Sequence, residues 1–174
     1  VPIDRSDGPR IKRMSDKGRD WLVRLEGGCR LKAYRDSAGI PTIGVGQTFW
    51  LTSGSRRRVD IGDTLQNKAE GLDMFAKVLR DFEATVDSCT RDDITQEQFD
   101  ALCSLAYNIG QRGFAGSRAL RLFNQRAPLL QVAAGIRLWN RAGGLIVDGL
   151  IERREAECDL LLYGSYRVQG NRNA

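Results

Sequence analysis

No histidine occurs among the 174 residues. Its absence removes the Ser/His/Asp and Cys/His nucleophile pairs, the H-E-x-x-H zinc proteases and any His-ligated metal or haem. Acid–base chemistry must then fall to carboxylates, Lys, Tyr or Cys. Long apolar runs are missing too. Nothing approaches the ~20 residues of a membrane span, and the N-terminus, Val1-Pro2-Ile3-Asp4-Arg5, carries no apolar leader and reads as a processed or trimmed end. The four cysteines, Cys29, Cys89, Cys103 and Cys158, form no C-x-x-C pair, which excludes zinc-ribbon and thioredoxin motifs. They are too sparse for a small disulfide scaffold, so free core thiols are expected. What is present suits a globular chain: 41% hydrophobic and 28% charged residues, and 27 Lys+Arg against 22 Asp+Glu for a net charge of +5. The length allows one domain or two small packed lobes.

Residues 1–14 are polar, with Pro2, Gly8 and Pro9, and read as a loose arm. Ser15 is a plausible N-cap for a helix running through Trp21, Leu22 and Leu25 to Glu26, where Gly27-Gly28 stops it. Leu31–Arg35 and Ile40–Gly46 read as two short strands around a turn, with Gly44 and Gly46 open to close approach by a backbone or ligand. Thr48–Asp63, which holds Arg56-Arg57-Arg58, reads as a third strand or an exposed loop. From Thr64, apolar residues recur at helical spacing through Leu65, Leu72, Phe75, Leu79, Phe82 and Val86, predicting one long helix. Thr95 with Gln98 forms a capping box before a helix ending at Asn108-Ile109-Gly110. Shorter helices are expected around 117–125, 129–139 and 150–162. The fold class is α+β, mostly α: an arm over 1–14, a small helix-plus-hairpin lobe over 15–63, a connecting helix over 64–88 and a helical lobe over 89–174.

With histidine absent, a carboxyl in an apolar setting opposite one in a polar setting is the constellation to seek. Glu26 follows Leu22 by one helical turn at the edge of the buried face, where desolvation favours the protonated form. Asp36 stands in a hydrophilic turn that keeps it ionised. Two such carboxyls are what glycoside hydrolysis requires. A Glu at a helix end and an Asp in a turn are equally at home as plain surface groups.

The run from Glu26 through Asp36 and Thr42 to Ile43-Gly44-Val45-Gly46 resembles the signature of phage-type lysozymes, the endolysins of glycoside hydrolase family 24. That family reads Glu, eight residues, Asp, five residues, Thr, then Ile-Gly-x-Gly. The resemblance continues in Thr95–Leu102, Tyr107–Gly110, Gly113–Ser117 and Trp139–Gly144 with Gly149–Glu157, covering about residues 15–163. It implies a lysozyme-like fold and a monomeric muramidase that needs no metal or cofactor. Such an enzyme cleaves the β-1,4 bond between N-acetylmuramic acid and N-acetylglucosamine in peptidoglycan. It would be made in a phage-infected bacterial cytoplasm and act on the periplasmic side of the wall. Glu26 would be the general acid, Asp36 the carboxylate positioning water, and Thr42 the hydroxyl that helps hold it. Thr48, Tyr107, Asn108 and Ser117 would line the saccharide cleft, though each also suits an ordinary loop or helix-end hydrogen bonder. Arg153 or Arg154 would pair with Glu26 or a neighbouring acid.

One departure matters. Nine residues separate Glu26 from Asp36, one more than the family pattern. The glycine pair is the natural place for the extra residue, because it follows Glu26 and leaves that residue's helical register untouched. A helix continuing through the insertion would instead rotate the Asp36 strand by about 100°. Widening the gap suits a bound water and therefore inversion of configuration. Two alternatives stand beside hydrolysis: a lytic transglycosylase on the same bond, and a non-catalytic wall-binding relative. Cys29 is expected to be a buried spectator thiol. The Arg56–Arg58 run, with few clustered aromatics, reads as a solvated face drawn to anionic wall rather than to nucleic acid.

Overall fold

The computed structural model describes residues 12–52 and 55–168. In order, these form α1 (Asp16–Leu25), β1 (Arg30–Arg35), β2 (Pro41–Gly44), β3 (Phe49–Thr52), β4 (Ser55–Arg58), α2 (Lys68–Cys89), α3 (Gln96–Ile109), α4 (Gln111–Ala115), α5 (Arg118–Asn124), α6 (Leu129–Arg137), β5 (Arg141–Ala142), β6 (Leu145–Ile146) and α7 (Asp148–Tyr163). The strands pair only with sequence neighbours, as three antiparallel hairpins. The mostly helical α+β class expected from the apolar periodicity is what the chain adopts. Among the described residues no helix is long and apolar enough to cross a membrane.

Local chemistry explains the element ends. Ser15 caps α1 by accepting a hydrogen bond from the Gly18 amide, and Thr95 with Gln98 forms the reciprocal capping box of α3. At the other end of α1 the Gly27 amide donates to the Arg24 carbonyl and the Gly28 amide to that of Val23, a Schellman closure. Gly27 and Gly28 hold φ of 84° and 90°, a region that residues with a Cβ enter at a cost. The helix therefore stops beneath Glu26 instead of continuing through the extra residue. A second irregularity follows in β1, where four steps from Arg30 to Tyr34 face only two steps from Gly44 to Thr42 on β2.

The long helix begins later than the periodicity suggests. Thr64 bridges Lys32, and the Leu65 amide donates to the Leu31 carbonyl, so residues 63–65 extend the β1 edge. Asn67 then caps α2, whose 22 residues span about 33 Å. Residues 12–14 are not part of a loose arm. Met14 is 2% exposed and its amide donates to Glu83, while Arg13 pairs with the same carboxylate at 2.8 Å. The rest of the expected arm, residues 1–11, lies outside the described residues.

Two apolar clusters fill the interior. The larger surrounds α3, whose residues Phe99–Ala106 are all buried, and draws on α1, α2, α5, α6 and α7. The smaller joins Ile43, Val59, Leu65 and Met74 beneath the hairpins. Asp100, fully buried in the larger cluster, accepts hydrogen bonds from the Ser15 amide and hydroxyl, from Gln96 and from the Tyr166 hydroxyl. All four cysteines are free thiols, with Cys103 and Cys158 buried.

Candidate active site

Glu26 is the C-cap of α1, so the Schellman turn below it sets where its carboxylate points. Its side chain is 19% exposed, and Oε1 accepts a 2.6 Å hydrogen bond from Nη1 of Arg153 on α7. The setting is thus an ion pair rather than the apolar pocket expected from the helix face. Gly46 lies beside the same carboxylate: a Cβ there would stand 3.9 Å from Glu26 Oε2. Gly44, its partner in the Gly-x-Gly run, instead meets the backbone of α2 at Gly71, the close backbone approach expected there.

Behind Glu26 the charges form a chain. Arg153 also donates to Glu157 Oε1 at 3.2 Å and to the Ser104 carbonyl and hydroxyl. Glu157, with no exposed surface, further accepts from the Ser104 hydroxyl at 2.7 Å and from Arg154 Nη2 at 3.0 Å. Arg154 Nε lies 2.8 Å from the other oxygen of Glu157, an ion contact off the hydrogen-bond line. Two guanidiniums and two carboxylates balance, which is what allows their burial. Burial pulls hardest on Arg153, toward losing its proton, but Glu26 and Glu157 outweigh it and raise its affinity for that proton. On Arg154, 1% exposed, burial prevails and lowers it. Between the two arginines offered by the sequence, Arg153 is thus the partner of Glu26. Arg154 reaches Asn108 Oδ1 at 3.0 Å and the Trp139 carbonyl instead. Sequence reasoning missed Glu157 and Ser104; the spacing of Arg153 and Arg154 to Glu157 by four and three residues on one helix was the available signal.

Asp36 closes the β1–β2 turn. Its Oδ1 accepts from the Ala38 and Ile40 amides at 2.9 and 2.8 Å, and Oδ2 makes no hydrogen bond to the described residues. Thr42, 3% exposed, donates to the Ile40 carbonyl at 2.9 Å, so Asp36 and Thr42 are held together through the two faces of one peptide residue. No hydrogen bond joins either to Glu26. Tyr107 stacks edge-on against Phe75 and Phe82 and points its hydroxyl at the Val45 carbonyl, 3.4 Å away. Burial, then the Glu26 charge, pushes the phenol's pKa far up, so it stays a neutral donor. Tyr107 and Thr48 line one pocket of about 140 Å³ with Gly46, Gln47, Phe49, Leu51, Arg56 and Val78. Asn108 is exposed on the last turn of α3. Ser117 stands apart: 4% exposed, it caps α5 by accepting from the Leu120 amide.

The basic run is not a bare solvated face. β3 and β4 pair Phe49 with Arg58, Trp50 with Arg57 and Leu51 with Arg56. The guanidiniums of Arg56 and Arg58 lie 3.9 and 5.5 Å from the Phe49 ring centre, and that of Arg57 lies 5.5 Å from Trp50. Cys29 is half-buried, and burial raises its thiol. Among the described residues no three Cys, Asp or Glu side chains gather as metal ligands would.

A family model described as Phage lysozyme matches residues 24–157, which include Glu26, Asp36, Thr42 and both arginines of α7. The Endolysin of Salmonella phage P22 is 41% identical over 153 residues, covering 87% of this chain and 99% of its own length. An endolysin from Escherichia coli O157:H7 phage FAHEc1 superimposes with a TM-score of 0.82 at 31% identity, covering 91% of this chain and 98% of that one. A crystal structure of a P22 lysozyme mutant does so with a TM-score of 0.74 at 39% identity, over 87% and 99% respectively. The chain belongs to the phage lysozyme family.

Proposed function

We propose that this member of the phage lysozyme family, a glycosidase that hydrolyses peptidoglycan, cleaves the β-1,4 bond after N-acetylmuramic acid with Glu26 as proton donor. The observation that carries the reading is the 2.6 Å contact between Glu26 and Arg153, which fixes a carboxyl at a helix end beside the open backbone of Gly46. A leaving sugar oxygen needs a proton, and Glu26 stands beside Gly46 of the pocket, whereas Asp36 closes a turn. Arg153 positions the carboxyl. Asp36 retains a free Oδ2, and Thr42 a hydroxyl oxygen with unused lone pairs, a pair suited to orienting water. Tyr107 and Thr48 would meet the sugar from opposite walls, with Asn108 at the exposed rim. Attack by a held water gives inversion and the α-anomer first. The substrate places the enzyme at the bacterial wall, and it would work there as a monomer. Neither the transglycosylase nor the binding-module alternative is favoured by these relatives, which are named as endolysins or lysozymes.

Turbidity clearance of bacterial walls tests the reading. Replacing Glu26 by Gln keeps the shape and removes the proton, so lysis should fall about 10²–10⁴-fold while the circular-dichroism spectrum is unchanged. Near wild-type lysis by a folded Glu26→Gln protein would remove Glu26 from the role. Fresh product read by NMR as the β-anomer would overturn inversion, and an anhydro-sugar would establish the transglycosylase.

A further inference from the structure

Three arginines follow one another on β4, and the strand's alternation sends them to different work. Arg57 faces Trp50 and is committed: it donates to both oxygens of Asp63 at 3.0 and 3.2 Å and to the Arg58 carbonyl. Arg56 and Arg58 share the opposite face, where both lie near the Phe49 ring. Of the three, Arg56 lines the pocket beside the acid, together with Thr48, Leu51, Val78 and Tyr107. Among the described residues no carboxylate lies within ion-pair distance of Arg56.

A guanidinium held over an aromatic ring keeps N–H donors for other partners, and its fork matches a carboxylate in two parallel hydrogen bonds. Stacking at 3.9 Å also holds the long side chain in place before any ligand arrives. Gly46 and Tyr107 both belong to this pocket; a Cβ on Gly46 would stand 3.9 Å from Glu26 Oε2, and the Glu26 charge acts on the Tyr107 hydroxyl. A sugar whose glycosidic oxygen meets Glu26 and whose ring extends past Gly46 would bring a substituent into the pocket that Arg56 lines. In peptidoglycan the substituent that distinguishes a muramoyl ring is a lactyl ether. Its carboxyl is either free or amide-linked to a peptide that carries carboxylates of its own.

Resting on the glycosidase reading, we infer that Arg56, stacked on Phe49 in the pocket beside Glu26, is a specificity residue that binds a carboxylate borne by the muramoyl lactyl group or its peptide. It touches substrate and takes no part in bond cleavage.

Steady-state kinetics on three soluble glycans test this with wild type, Arg56→Gln and Arg56→Lys. The first glycan keeps its peptides, the second has had them removed by an amidase so that the lactyl carboxylate is free, and the third is the second with every carboxyl capped as a methylamide. Arg56→Gln should raise KM about tenfold on a carboxylate-bearing glycan, leave kcat within about twofold, and behave as wild type on the capped glycan. Arg56→Lys keeps the charge without the fork and should fall between. A selective effect on the peptide-bearing glycan alone assigns the peptide carboxylates, and one on the stripped glycan assigns the lactyl group; either supports the inference. An equal change on all three glycans, or none on any, overturns it. Failure of the wild type to cleave any of the three would overturn the glycosidase reading as well, so the two failures are distinct.

Discussion

Arg153-Arg154 on α7 and Arg56-Arg57-Arg58 on β4 are runs of the same residue, and the fold gives them opposite surroundings. On the helix, side chains three and four positions apart meet, so both arginines find Glu157 on their own element and are buried around it. On the strand, neighbours point to opposite faces and partners come from across the ladder, so these arginines find Phe49 and Trp50 and stay in water. Burial with carboxylates makes the first pair rigid supports of an acid. Stacking on Phe49 leaves the donors of Arg56 unspent, while Arg57 spends its own on Asp63. An arginine run thus has no function of its own; the period of its element selects the partner, and the partner decides the role.

The contrast can be broken most severely at Glu157. Glu157→Gln leaves Arg153 with Glu26 alone and Arg154 buried against Arg153 without a carboxylate, and the fold should lose about 3–5 kcal/mol, read from the denaturant midpoint. A loss under about 1 kcal/mol would mean that the buried pair is no more demanding than the exposed one. Next comes the surface group. Wild-type wall lysis should slow by about tenfold as added salt shortens the ~8 Å reach of charge, and replacing Arg56, Arg57 and Arg58 together by Gln should flatten that profile. An unaltered profile would place the steering charge elsewhere.

Acid titration sharpens the comparison at one anchor of the hairpin. The hydrogen bond from Arg57, then those from the Asp60 amide and Trp50, hold Asp63 down at about 2. A depressed carboxyl contributes its stability above its unfolded value near 3.9 and loses it as pH falls through about 2. Trp50 emission should therefore hold steady through pH 4 and change only on approach to 2, with Trp50→Phe as the blank. A transition already complete at pH 4 would show that Arg57 does not grip Asp63. The smallest effect belongs to Arg58→Gln, which breaks no ion pair and should shift stability by no more than about 0.5 kcal/mol.

How far these features were legible in the sequence depends on the range of the interaction. Ser15, the Thr95–Gln98 box and the Gly27-Gly28 stop act within a few residues, and each is where the local pattern puts it. The start of α2 is displaced from Thr64 to Lys68 because Leu65 satisfies helical spacing equally well while packing against Ile43 and Val59 in the smaller cluster. The short α4, bracketed by Gly110 and Gly116, leaves too little periodicity to read. The β5–β6 hairpin rests on two residues per strand around Gly143-Gly144, both at positive φ. At the site, Glu26 and Asp36 were candidates as a pair of carboxyls in unlike settings, and their roles and that of Thr42 came with the family resemblance. The choice of Arg153 over Arg154, and the presence of Ser104, depend on how α3 and α7 rotate against each other. A one-dimensional reading carries no term for that.

Asp100 has one more consequence. Its carboxylate receives Ser15 at the head of α1, Gln96 at the start of α3 and Tyr166 beyond the end of α7. A local opening that frees residues 164–168 strips a donor from the same buried charge that seats α1, and loosening α1 does the converse. The head and tail segments should therefore open together, which matched amide exchange over the two would show. Glu26 ends the helix that these joined segments hold, so a change at Tyr166 reaches the acid as a gain in its freedom to move, at the far end of a helix that the tyrosine helps to anchor.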